Sequence, residues 1–179
     1  MSAMQEVKRR FFAIRNGVVA DVLRKNGSPF RIIFGLNLPQ IKEIAEFVGV
    51  DRELAEALWA NRSTRESMML APMIFPREEM SEKMAEKWLD ACPSAEVSDV
   101  LCHSLLRHCP YAGELALRRF RDGRQERYGA MRLILNTLRT LDPEEVRKAI
   151  AESDFEEESA TLKLMKQQIE DEIDFLSGK

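Results

Sequence analysis

The sequence predicts an all-α fold, a helical-repeat solenoid of antiparallel helix pairs, and three observations point to it. Short amphipathic segments follow one another, most with apolar residues at three- and four-residue steps. Brief polar, glycine or proline turns separate them. Sustained period-two alternation is missing, so no interior strand is expected.

The first helix is expected over Gln5–Lys25, with Phe11, Ile14, Val18 and Val22 on one stripe. Asn26-Gly27-Ser28-Pro29 ends it, Gly27 supplying the left-handed cap and Pro29 blocking continuation. Phe30 to Leu38 is apolar for a connector and should tuck against the core. A helix opening at Pro39 presents Ile41, Ile44, Ala45 and Val48 and closes at Gly49. Asp51 is the N-cap of the next, whose stripe is Leu54, Ala57 and Leu58, ending at Trp59. Ser63 or Thr64 caps the following helix, which Pro72 interrupts. Further helices begin at Ser81, at Pro93-Ser94, at Tyr111 and at Gln125. Asp142-Pro143-Glu144-Glu145 combines a cap, a first-turn proline and acids at the positive helix end. The last helix is expected over Phe155 to Leu176, with Leu162, Met165, Ile169 and Ile173 inward. Pair starts near Ile41, Thr64, Val97 and Gln125 give a HEAT-like or armadillo-like recurrence. A single domain is expected, with an N-terminal helix and connector (1–38), a repeat core (39–141) and acidic capping helices (142–179).

Charge is unevenly distributed although the net value is only −3. From Arg107 to Arg139 there are eight arginines against Glu114, Asp122 and Glu126. From Asp142 to Lys179 twelve acids face five basic residues. Arg121, Arg124 and Arg127 flank Gly123, and a turn rich in arginine beside a helix start suits phosphate. They are the nucleic-acid-binding candidates, with double-stranded DNA as the partner. The acidic C-terminal helix is a candidate surface for a protein partner or self-association.

Cys92, Cys102 and Cys109 form no CxxC pair, and an odd number without a signal peptide points to reduced thiols and a cytoplasmic setting. His103 and His108 adjoin two of them, but a helix sets Cys102 and Cys109 roughly 10 Å apart along its axis. No metal site and no cofactor is therefore expected. Cys102 and His103 diverge by about 100° around a helix, which argues against a Cys-His nucleophile. No apolar run approaches the roughly 20 residues that span a bilayer, so no membrane partner is expected.

The residues Leu58-Trp59, Arg65-Glu66, Trp88 and Asp99 carry a resemblance. Together they look like the DNA-alkylation-repair family of HEAT-like-repeat glycosylases. In that family a leucine-tryptophan pair closes one helix and an arginine-glutamate pair opens the next. A tryptophan-bearing helix then precedes one with a functional aspartate. The similarity runs from about Leu38 to Leu138. It implies excision of cationic alkylated purines, with Asp99 stabilising the positive sugar and Trp59 and Trp88 as cleft or packing aromatics. Two departures stand out: Ala95 occupies the place of an aromatic residue one turn before Asp99, and no tryptophan follows Trp88. The alternative is a non-catalytic helical-repeat scaffold.

Overall fold

A computed structural model describes residues 2–122, 127–153 and 159–178 of the chain. Among these residues the protein is all-α: eleven α-helices and three short 3-10 turns, with a single isolated bridge in place of any strand. It divides into two units, Met1–Met80 and Ser81–Lys179.

The first unit holds α1 (Ala3–Ala13), α2 (Gly17–Lys25), α3 (Leu38–Val48), α4 (Arg52–Ala60) and α5 (Arg65–Ile74). α5 is its centre. Every residue of α5 except Met73 is buried, because α3 and α4 both pack on it. Pro72 lies inside α5, which ends two residues later at Ile74. Caps follow the sequence closely: Asp51 accepts from the Leu54 amide at 2.9 Å, and Gly49 and Gly27 take positive φ where their helices end. Thr64 occupies the N-cap position of α5 without a side-chain capping bond. On α4 the inward alanine is Ala55, not Ala57, because Trp59 rotates the buried stripe toward Leu54, Ala55 and Leu58.

The expected single helix over Gln5–Lys25 is two helices. Asn16 causes the break: its side chain caps α2 through the Val19 amide, and its own N–H donates to Phe34 O at 2.8 Å. The interruption changes the helical phase, so Phe11 is buried while Ile14, Val18 and Val22 are exposed. The connector after α2 behaves as expected, with Phe30, Ile33 and Leu36 in the core. It is also stitched to the start of α5, since Ile32 N donates to Ser63 O and Arg65 N donates to Ile32 O.

The second unit holds α6 (Glu82–Asp90), α7 (Ala95–Ser104), α8 (Ala112–Arg121), α9 (Arg127–Thr137), α10 (Pro143–Ala151) and α11 (Ala160–Leu176). α9 is its centre, packed on α7, α8 and α11. Gly129 is buried in α9, where an added Cβ would stand 3.4 Å from Leu89, at ordinary contact distance. Asp142 caps α10 through the Glu144 amide, and Ser159 caps α11. α11 buries Met165, Ile169 and Ile173, while Leu162 is half-buried. The expected helical start at Phe155 and the Gly123 turn lie outside the described residues.

Candidate functional site

Asp99 stands in the second turn of α7, after an N-terminus formed by Ser94, which accepts from the Val97 amide. Val97, Val100 and Leu101 pull one face of α7 into the core, which leaves Asp99 at the boundary with a side chain 41% exposed. Two residues of α9 hold it. The Tyr128 hydroxyl donates to Asp99 Oδ1 at 2.8 Å, and Arg132 Nη2 donates to the Tyr128 oxygen at 3.1 Å. Arg132 Nε lies 2.6 Å from the same Oδ1, an ion contact whose N–H is not aimed as a hydrogen bond. Tyr128 and Arg132 are one helical turn apart, so a single face of α9 presents both. The Arg132 guanidinium also lies 5.6 Å from the Tyr128 ring centroid.

The electrostatics follow from this packing. Burial raises the Tyr128 pKa, and Asp99 adds to the rise against the opposing pull of Arg132. Burial works against the charge of Arg132, but Tyr128 and Asp99 outweigh it and the guanidinium is held above its ordinary value. The arrangement is a carboxylate at the surface, fixed in orientation by a neutral donor and a cation. A double-mutant cycle between Tyr128→Phe and Asp99→Ala, which removes the acceptor, should show a coupling of about 1 kcal/mol in unfolding free energy. Additive effects would show that the contact contributes nothing.

The arginine candidates are divided by their surroundings. Arg121 is exposed at the end of α8, and Arg127 is half-buried with its guanidinium 5.9 Å from the Phe120 ring centroid. Arg124 lies outside the described residues. Neighbouring arginines are engaged within the unit: Arg118 with Glu82 and Glu86 at 2.7 and 2.9 Å, and buried Arg119 with Asp90 at 2.6 Å. Trp59 and Trp88 are both buried, 8% and 6% exposed.

Cys92, Cys102 and Cys109 are buried and form no disulfide. Burial pushes the Cys102 thiol well up, so it stays protonated, and its Sγ points to Gly129 O at 3.6 Å. His103 instead lies on the exposed side, its Nδ1 3.2 Å from Asn136 Oδ1. Among the described residues no three His, Cys, Asp or Glu side chains converge in a way that could hold a metal ion. No helix among them is long and apolar enough to cross a membrane.

The Arg65-Glu66 pair does a different job from Asp99. Glu66 is fully buried at the start of α5. Its carboxylate accepts from the backbone amides of Phe34, Gly35 and Leu36 at 3.0, 2.9 and 3.3 Å. Arg65 Nη1 donates to Glu66 Oε1 and to Leu36 O, both at 2.9 Å. The pair ties the connector to α5. Gly35 is required there, with φ of 79° and an added Cβ only 2.1 Å from Asn16 O.

Sequence reasoning reached Asp99 but missed Tyr128 and Arg132 as its partners. Both lie about thirty residues downstream, and their only local signal was a shared face of α9. The model of one family, described as DNA alkylation repair enzyme, matches residues 6–121. The match takes in most of α1 and all of α2, earlier than the sequence motifs reach, and stops before Tyr128, Arg132 and α11. No curated protein and no solved structure matches the chain. With well over half of its length matched, including Trp59, Arg65, Glu66, Trp88 and Asp99, the chain belongs to the DNA alkylation repair enzyme family.

Proposed function

We propose that the protein binds alkylated duplex DNA and releases cationic alkylated purines, with Asp99 stabilising the positive sugar left as the base departs. One observation carries this reading: Asp99 is a surface carboxylate held in a defined orientation by Tyr128 and Arg132, within the family-matched segment. A base alkylated at N3 or N7 leaves as a neutral group, so no strong acid is needed. What the reaction lacks in water is a fixed negative charge beside the developing oxocarbenium ion, and a preorganised carboxylate supplies it. The same carboxylate can orient the attacking water. Helix pairs such as α4–α5 and α8–α9 support the HEAT-like repeat organisation that would carry such a surface. Buried cysteines that form no disulfide support a reducing, cytoplasmic setting.

Incubation with duplex DNA containing N7-methylguanine, followed by chromatography for the free base, tests the proposal. Release above the spontaneous rate is expected; its absence, together with DNA affinity that ignores salt, overturns it. Arg121 is the described arginine candidate best exposed to phosphate. Arg121→Glu should weaken duplex binding and lower the slope of log affinity against log salt by about one. An unchanged slope would remove Arg121 from the interface.

A second reading, a non-catalytic scaffold for a protein partner, is favoured by apolar exposure in the first unit. Phe12, Val18, Phe47 and Val50 are each more than half exposed there. Salt-insensitive DNA affinity and no base release would select it.

A further inference from the structure

A groove of about 600 Å³ runs along the seam between α9 and α11, within the size range of small-molecule sites. Two helical stripes form its walls. Arg132, Leu135 and Asn136 line it from α9, and Gln168, Asp171, Glu172 and Phe175 line it from α11. The spacing of both sets is three and four residues, so each belongs to one face of its helix. α11 packs on α9 and buries Met165, Ile169 and Ile173, and the groove-lining stripe is offset from these three around the helix.

Three features set this groove apart from an ordinary solvated seam. Phe175 is 73% exposed although buried positions lie on the same helix, so an aromatic face is left open to a ligand. Asp171 and Glu172 stand beside it, and among the described residues Asp171 takes only a neutral amide, from Gln167 at 2.8 Å. Among the described residues Arg132 is the one cation in the lining, and it is engaged by Asp99, so neither groove carboxylate has an ion pair among them. An aromatic ring, two carboxylates and amide groups favour a flat cation with hydrogen-bonding edges. The same charges disfavour phosphate.

We infer that this groove is a binding site for a cationic N-alkylated purine, sharing Arg132 with the Asp99 site. The inference rests on the proposed release of such bases, and α11, which lies beyond the family-matched segment, supplies the selecting residues. The positive purine stacks on Phe175 and is balanced by Asp171 and Glu172. Its uncharged parent lacks both the cation–π attraction and the ion contact.

Calorimetric binding of 7-methylguanosine, at a pH that keeps its purine cationic, is compared with that of guanosine on the full chain. The cation should bind roughly tenfold more tightly than guanosine, and Phe175→Ala and Glu172→Gln should each weaken it by roughly fivefold. Glu114→Gln, a matched charge change on exposed α8 surface, should leave it unaltered. Equal affinity for the two nucleosides, or groove variants that bind like the parent, would overturn the inference. Release of N7-methylguanine from duplex DNA, measured on the same proteins, separates the two readings. Selective nucleoside binding without release retains the groove and removes the glycosylase. Release with no preference for the cationic nucleoside removes the groove and retains Asp99.

Discussion

Glu66→Ala is expected to cost about 3–5 kcal/mol of stability, the largest loss predicted for a single substitution here. The change removes a buried carboxylate that satisfies three backbone amides and pairs with Arg65. Arg65 is itself buried, so its charge would remain inside without its principal counter-ion. The Phe34, Gly35 and Leu36 amides would lose their shared acceptor, two of them in a buried setting. Since a whole domain is stable by only about 5–15 kcal/mol, the first unit should be largely or wholly unfolded at modest temperature. Chemical denaturation followed by far-ultraviolet circular dichroism measures this. A loss below about 1 kcal/mol would mean that the connector is held by its apolar residues alone. Glu66→Gln should fall between the two proteins, because an amide oxygen can still accept but the charge opposing Arg65 is gone.

Asp99→Asn has the largest expected effect on activity: base release should fall by about a hundredfold or more. The substitution keeps the shape of the side chain and an oxygen that Tyr128 can donate to, but removes the negative charge. DNA affinity should be unchanged or increased, since a carboxylate facing phosphate is repulsive. Stability should change by no more than about 1 kcal/mol, because Asp99 is part-exposed and its ion pair with Arg132 is partly solvated. Single-turnover release and equilibrium DNA binding on the same variant separate these effects. Release at the parental rate would take Asp99 out of the mechanism and leave it as a helix-stabilising acid in α7.

Much of the helical framework could be read from local patterns. Asp51, Ser81, Ser94, Asp142 and Gly27 mark helix ends because capping uses only nearby atoms, and the structure has each at a helix terminus. The break at Asn16 was missed, although Asn16-Gly17 is a local cap and turn signal. What the local pattern could not show is its second support, the bond from the Asn16 amide to Phe34 O, eighteen residues away. The inward face of α4 was misjudged for a related reason: a bulky Trp59 and a small Ala55 settle the rotation jointly by packing, not by hydrophobicity alone.

Taken alone, the sequence determined the all-α class, the sites of most caps and the motif residues that connect the chain to its family. Those properties rest on interactions within four residues or on residue identity. The tertiary structure decided what the motif residues do. It turned Arg65 and Glu66 into a buried clasp on the connector, because Phe34, Gly35 and Leu36 bring three amides to one carboxylate. It joined Asp99 to Tyr128 and Arg132, because packing of α7 on α9 closes a separation of about thirty residues to hydrogen-bonding distance. Chain spacing carries no record of such a distance; it follows from which faces of the helices exclude water together.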